Sequence, residues 1–571
     1  MLKCLRVNMG DLSAKYEDLG AGDEVFGGRS LTARYVSREI EPTCDPMGPD
    51  NKLFIACNTF TGVSLATANG RISFGSKSPL TGTIKEASVG GTAGTFMVRH
   101  GIKVIAIEGC PQNPDDLYIL KLGKDRNPSL IKADDYKGML NYPMVAKFKE
   151  LYSDDVAVIC GGVAGEKKSP VSAIMVTDFA MGYPTRAAAR GGLGAIMAGT
   201  KRIKAIVFEK PDTPYEITYA DEEKYRKAAK SLTKMLELSP NAQARKKYGT
   251  LASMAKNEMS GILPVRNFRS EPFQEINDIS GETFYNLVTS RGGKVGLACC
   301  PGCVVRCSQN YVDAEGNHMA GAVQYETTGL CGSNLNIHNF DTIANISRAC
   351  DEYGVDTIEI GAALGILMEA GEIPWGSEEQ VLQMIEEMKN GTEKGSILLL
   401  GIEELGRRYN VTRLPHVKGQ SFPAYDPRGS FMHGMAFVFG TQGADHTLAL
   451  PPPGKIPEDF TEVALDAMAL MVVAESAFCL LAAMHFLVAP DTWKHYFDMM
   501  TGLYGGAWTM ERMISDIGIP TVKLEKEFNK KAGVEPGVLP QFLYDEDSKV
   551  TGKPYTIPQE ELIKIFHANY K

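Results

Sequence analysis

Apolar and polar positions follow two different rhythms along the chain. Up to about residue 210, short apolar runs end at turn-forming residues, as in Lys103-Val104-Ile105-Ala106-Ile107 before Glu108-Gly109 and Val156-Ala157-Val158-Ile159-Cys160 before Gly161-Gly162. Such runs predict strands. After Lys204-Ala205-Ile206-Val207-Phe208 the text turns rich in Glu, Lys and Ala, and Asp221 to Leu238 predicts a helix, which places a boundary near 210. Ile343, Ile346, Cys350 and Tyr353 share one helical face, so Thr342 to Tyr353 predicts a helix with Asp341 as its N-cap and Gly354 ending it. Asp356 is the expected cap of a following helix, with Glu359 completing a capping-box-like start. Pro451-Pro452-Pro453-Gly454 predicts a loop before a long helix that begins near Thr461. The apolar stretch Val463 to Ala489, broken by Asp466, Glu475 and His485, reads as a buried helix rather than a membrane span.

Composition narrows the class. A chain of 571 residues with 44% hydrophobic and 23% charged residues can build a sizeable interior and several domains. Net charge is −9 and no polybasic run occurs, so neither nucleic acid nor an anionic membrane is an expected partner. The first residues, Met1-Leu2-Lys3-Cys4-Leu5-Arg6, lack the apolar core of a signal peptide. Twelve cysteines without such a signal point to a reducing cytoplasm and to metal ligation rather than a disulfide framework.

The cysteines carry the sharpest chemical signal. Cys300, Cys303 and Cys307 are spaced by two and three residues within one short loop, and Cys479 lies far downstream in apolar text. Each iron of a [4Fe–4S] cluster takes one thiolate, and a compact loop supplies three of them most easily at this spacing. Pro301 and Gly302 let the loop turn tightly. A zinc site, which usually wants two close Cys or His pairs, and buried unliganded cysteines are the alternatives. Cys299, Cys331 and Cys350 are not expected to ligate the cluster.

Several motifs agree with one family. Gly27-Gly28-Arg29-Ser30-Leu31, Lys77-Ser78-Pro79-Leu80-Thr81-Gly82, Gly90-Gly91-Thr92-Ala93-Gly94, Arg186 to Gly194, Tyr325-Glu326-Thr327, Asp351 to Asp356 and Tyr425-Asp426-Pro427-Arg428-Gly429 occur in this order around the cysteines. Together they resemble the tungsten-containing aldehyde:ferredoxin oxidoreductases over most of the chain. The resemblance implies tungsten (or molybdenum) held by two pyranopterins beside the cluster. It places Lys77, Thr92, Gly94, Arg186, Ala187, Ala189, Arg190, Asp351, Val355 and Asp356 at cofactor positions. The carbonyls of Thr92 and Ala187 would face a magnesium ion that bridges the pterin phosphates. Arg186 and Arg190, four residues apart, are expected on one face of a helical turn. Glu326 matches a carboxylate beside the metal, and His446 matches an active-site histidine. Taken singly, a Glu or a His more often serves a salt bridge or a core contact, and only the joint match points to catalysis.

The pattern departs at the second pterin motif, where Ala474-Glu475-Ser476-Ala477-Phe478-Cys479 keeps the cysteine but lacks the expected aspartate and glycine. Gln442 and Leu448 replace basic family residues, and Glu475 is the available carboxylate. Glu315 and His318 read as turn chemistry. The expected fold is α+β: a mostly β domain over 1–210 that cradles the cofactor, then largely helical domains over 211–415 and 416–571. The implied reaction oxidises an aldehyde to a carboxylic acid, with electrons leaving through the cluster to ferredoxin or a small iron–sulfur subunit. Homodimer and heteromer both remain open. Alternatives are a low-potential reductase resembling the catalytic subunit of class II benzoyl-CoA reductases, and a non-catalytic electron-relay or assembly paralogue.

Overall fold

The computed structural model describes residues 1–321, 323–448 and 460–568. The chain is α+β, with its strands gathered at the amino-terminal side and helices dominating thereafter. Two six-stranded mixed sheets account for the early apolar runs. The first runs Ser13–Glu17, Lys3–Asn8, Ile102–Glu108, Leu53–Cys57, Ile72–Lys77, Ile84–Val89. The second runs Arg186–Ala188, Ile174–Val176, Ala157–Cys160, Ile203–Phe208, Tyr118–Leu122, Pro128–Lys132. Leu5, Ile55 and Phe74 from one sheet and Leu120, Ile159 and Ile206 from the other fill a common core, all with no exposed area. Central strands buried on both faces read as continuous apolar runs, and that pattern made them visible in the sequence.

The expected helix forms as Glu222–Leu238, with Asp221 capping it by accepting from Lys224 N. The helix Phe340–Tyr353 ends at Gly354 in the left-handed region (φ 79°), but its cap is Asn339, not Asp341. Asp341 instead accepts from Arg291 at 2.6 and 2.9 Å and from the Tyr311 hydroxyl at 2.6 Å. The next helix, Thr357–Glu369, is capped by Asp356 through Ile358 N. Its Glu359 does not close a capping box, because its carboxylate accepts from Ser421 N (2.9 Å) and Oγ (2.6 Å). This helix buries Ile358, Ile360, Leu364, Ile366 and Leu367, each worth about 1.5–3 kcal/mol of transfer free energy. A helix so apolar on every side belongs in a core.

The stretch Val463 to Ala489 is two helices, Phe460–Ala477 and Leu480–Val488, with Cys479 as the N-cap of the second. No described helix is long and apolar enough to cross a membrane. The Pro451–Gly454 loop lies outside the described residues. Arg186 sits on the strand Arg186–Ala188 and Arg190 in the turn beyond it, so the helical turn expected for this pair is not formed. Gly191 and Gly192, at φ 91° and 77°, supply that turn. Asp313 accepts from the backbone of Glu315 and Asn317, which makes the Glu315 to His318 segment a turn.

Candidate active site and cysteine centre

The cysteine loop is seated by close backbone approach. Gly302 turns it at φ 70°, and Asn69 N donates to the Pro301 carbonyl at 3.1 Å. A Cβ at Gly70 would lie 2.4 Å from the Gly91 carbonyl oxygen and 2.8 Å from Cys300 Cβ, while one at Gly94 would lie 2.5 Å from the Gly70 oxygen. Glycine is therefore required at both positions. Cys300, Cys303 and Cys307 share an apolar cluster with Phe60, Phe478 and Tyr496, and Cys479 packs against it. Cys299 Sγ lies 3.8 Å from Cys300 Sγ. Hydrogen bonds from Cys300 and Cys303, then the charges of Arg186 and Arg71, hold the Cys299 thiol well below its usual value against its burial. Among the described residues, no three His, Cys, Asp or Glu side chains converge on a point suited to a single metal ion. Cys331 and Cys350 lie apart, in the core around Ile343 and Ile346.

Arg186 connects this centre to the Asp351 turn. Its Nε lies 2.9 Å from Asp178 Oδ2, its Nη2 donates to the Gly321 carbonyl, and its charge reaches Cys299, Cys307 and Asp351. Val355 bridges to Ser172, and Asp356 N donates to the Val171 carbonyl at 3.1 Å. The Asp351 to Asp356 turn is thereby fixed beside the hairpin that carries Arg186 and Ala187, while Ala189 and Arg190 follow it in the chain. Thr92 joins the same place through its hydroxyl, 2.8 Å from Thr177 Oγ1. Burial pushes the Asp351 carboxyl up to about 8, and its Oδ2 has no hydrogen-bond partner. Lys77 is committed to the Pro42 and Cys44 carbonyls at 2.5 and 2.7 Å and lines a cleft of about 480 Å³ that none of the other candidates line.

Arg190 ties the turn to the proposed catalytic pair. It lies 3.4 Å from Asp356 and 3.2 Å from Glu359, and its Nη1 donates to the Ala444 carbonyl at 2.8 Å, two residues before His446. Glu326 opens the helix Tyr325–Cys331 from the other side. Its Oε2 accepts from Ala424 N at 2.7 Å, while the neighbouring Tyr325 hydroxyl donates to the Ala424 carbonyl at 2.7 Å. A Cβ at Gly329 would meet Ala424 Cβ at 2.7 Å, so the small residue permits this approach. Glu326 Oε1 and His446 Nε2 stand 3.7 Å apart, at a site only partly covered. Glu326 Oε1 and His446 Nδ1 both lack hydrogen-bond partners.

Sequence reasoning missed the ring ladder beneath this pair. Tyr425 stacks on His433 at 4.2 Å and faces His446 at 5.7 Å. Burial, reinforced by the Glu326 carboxylate, holds the Tyr425 phenol well above its usual value, so it remains a donor. Also missed was a buried charge cluster around the departed motif. Arg29 bonds Glu525 at 2.9 and 2.8 Å and lies 3.5 Å from Glu475 and 3.8 Å from Asp445, leaving Nη1 without a hydrogen bond. Burial pushes Glu475 up to about 8 and Lys85 down to about 8. Gln442 bonds Glu86 N at 3.0 Å, Leu448 is fully buried, and Ala474 is packed in the core. The Gly-Gly-Arg-Ser motif was the available signal for Arg29; nothing local marks Lys85 or Glu525.

Unpaired polar atoms on Asp351, Asp356, Arg190, Arg29, Glu326 and His446 fit a bound polar group, since buried polar atoms are otherwise hydrogen-bonded.

Two family models match the chain: "Aldehyde ferredoxin oxidoreductase, N-terminal domain" over residues 4–210 and "Aldehyde ferredoxin oxidoreductase, domains 2 & 3" over 227–568. A tungsten-containing aldehyde ferredoxin oxidoreductase of Pyrococcus furiosus is 29% identical, covering 99% of this chain and 94% of that protein. The one from Pyrococcus abyssi is 30% identical, covering 95% and 91%. The solved active-site complex BamBC of benzoyl coenzyme A reductase, bound to 1,5-dienoyl-CoA, superposes with a TM-score of 0.77 at 16% identity over 99% of this chain and 93% of that one. That likeness concerns the fold.

Proposed function

We propose, from the premise that this chain belongs to the aldehyde ferredoxin oxidoreductase family, that it oxidises an aldehyde to a carboxylic acid. The pairing of Glu326 with His446 carries the reading: two protonatable groups from distant segments meet at 3.7 Å, each with an unused polar atom. Asp351, Val355, Asp356, Arg186, Arg190, Ala187, Ala189, Thr92 and Gly94 would hold a tungsten (or molybdenum) bis-pyranopterin with its magnesium; Lys77, whose ammonium is committed to the Pro42 and Cys44 carbonyls, would reach it only by giving up those bonds. Cys300, Cys303, Cys307 and Cys479 would hold a [4Fe–4S] cluster. When bound, the metal centre accepts the two electrons of the oxidation and the cluster passes them on singly.

The chain's own residues supply position and protons. Glu326, fixed through one oxygen by Ala424 N, presents the other as a base to the water that attacks the carbonyl carbon. His446, held by a loop that Arg190 anchors, hydrogen-bonds the substrate oxygen and takes or returns a proton. The Tyr425 ring faces His446 beside the carboxylate, and its phenol stays protonated. The electron acceptor in this reading is ferredoxin or a small iron–sulfur subunit.

Metal analysis of anaerobically purified protein, with a panel of aldehydes and of CoA thioesters, tests this. About one tungsten or molybdenum per chain and aldehyde-dependent dye reduction are expected. Thioester turnover without aldehyde turnover would select a low-potential reductase, and a cluster without either metal a relay subunit.

A further inference from the structure

A redox centre that hands single electrons to another protein must lie near an exposed face to which that protein is drawn. Oppositely charged faces speed such encounters more than they tighten them. Three segments meet at the cysteine loop. The stretch 51–85 cradles it through Asn69 and Ala66, whose carbonyl lies against Gly302. The stretch 238–257 holds the helix Pro240–Tyr248, where Lys246 lies against Gly296 on the strand that leads into the loop. The stretch 283–312 contains the loop itself. In a chain with 69 Asp and Glu residues, none of these three segments contains a single one.

Cations do project from them. Lys247, Lys294 and Arg306 are exposed, and Gly302, also exposed, brings solvent to the turn between Cys300 and Cys303. The helix Glu222–Leu238 extends the patch, because its Thr233 hydroxyl bonds the Leu65 carbonyl at 3.2 Å, one residue from Ala66. Lys230 and Lys234 are exposed on that side of the helix, next to Leu65, which is 39% exposed. Neighbouring acids are engaged elsewhere: Glu222 with Arg226, Asp498 with Lys224, and the buried Asp178 with Arg186. Glu237 and Glu282, the latter within charge range of Lys247, are exposed acids at the margin of the patch.

We infer that Lys230, Lys234, Lys247, Lys294 and Arg306, with Leu65 as an apolar contact, form the docking surface for an acidic electron-carrier protein. The inference rests on the proposed cluster. A face of mostly basic charge, built on three segments without a single acid, selects a partner of opposite sign on a chain of net charge −9 and turns the molecule toward it during encounter. A cationic carrier would be attracted by the rest of the surface and misdirected from this one.

The test uses the holoenzyme, a ferredoxin of net negative charge and benzyl viologen. Lys230→Glu/Lys234→Glu and Lys294→Glu variants are compared with wild type. Each should raise the KM for ferredoxin at least tenfold at low salt and flatten its salt dependence, while dye reduction stays within twofold. Biosensor binding of the ferredoxin to immobilised protein, which needs no turnover, should weaken in parallel. Unchanged or tighter ferredoxin binding in these variants would overturn the surface. A wild-type protein that binds ferredoxin here yet shows no cluster signal by EPR would strike the cluster reading instead and leave the surface standing.

Discussion

Single side chains set the chemistry, and two of them give direct tests. Glu326→Gln preserves shape and the Ala424 contact region while removing the base, so turnover should fall roughly 10²–10⁴-fold with metal and iron content unchanged. A metal-replete variant oxidising its best aldehyde at the wild-type rate would remove Glu326 from the mechanism. Glu475 bears on stability. Burial raises its carboxyl from the usual 4.5 to about 8. Between those values the folded chain keeps a proton that the unfolded chain has released, so this group's contribution is present at low pH and lost as pH rises through the folded value. Thermal unfolding of cofactor-free protein should therefore show the wild-type midpoint dropping more steeply from about pH 5 to about 9 than that of Glu475→Gln. Parallel slopes would show that the carboxyl is not held neutral. The cysteine spacing and both proposed catalytic residues were legible because each carries a motif. Glu475's neighbours were not, since Arg29, Asp445 and Glu525 are brought together only by the fold.

At the scale of helices and turns, local rules worked where no distant partner competed. Asp356 caps as its sequence context predicts. Asp341 is an equally good cap by composition, yet Arg291 and Tyr311 claim its carboxylate, and Asn339 takes the role. Asn339→Ala should accordingly cost about 1 kcal/mol in urea unfolding, the usual loss of a cap. Glu359 was drawn away from its own helix in the same manner, toward Ser421 and Arg190. A ten-residue-scale pattern cannot see such partners, because they arrive from segments far along the chain. The break at Phe478 and Cys479 was hidden for a related reason: apolar text on both sides carries no Pro or Gly to announce it. Cys479→Ala should leave both flanking helices intact but lose or convert the cluster, read as iron content and the EPR spectrum of reduced protein. Full iron and an unchanged spectrum would exclude it from the ligand set.

Across the whole molecule, Arg29 links the first sheet to the carboxy-terminal helices. Its helix, Gly28–Glu39, packs on the strand Ile72–Lys77 so closely that a Cβ at Gly75 would lie 2.5 Å from Thr32 Cβ. From there Arg29 reaches Glu525 at 2.8 Å and Thr441 at 3.2 Å, all buried. Removing one partner of a buried pair leaves the other uncompensated, so Arg29→Leu should lower stability by about 3–5 kcal/mol. Arg29→Leu/Glu525→Leu should recover part of that loss in the same denaturation assay. A single variant as stable as wild type would mean the pair does not hold the two regions together.

The distance along the chain between Cys307 and Cys479 also dictates a schedule. At roughly 5–20 residues per second, synthesis separates the two by about 10–30 s. During that interval the early three-thiol loop has left the ribosome without its last partner, and Cys479 becomes usable only once the helix it caps can form. With the ligand set proposed above, a cluster delivered early would wait with one iron open to oxygen. On that ligand set, maturation would wait for Cys479 and the helix it caps, and a chain truncated before Cys479 would lack the fourth thiolate.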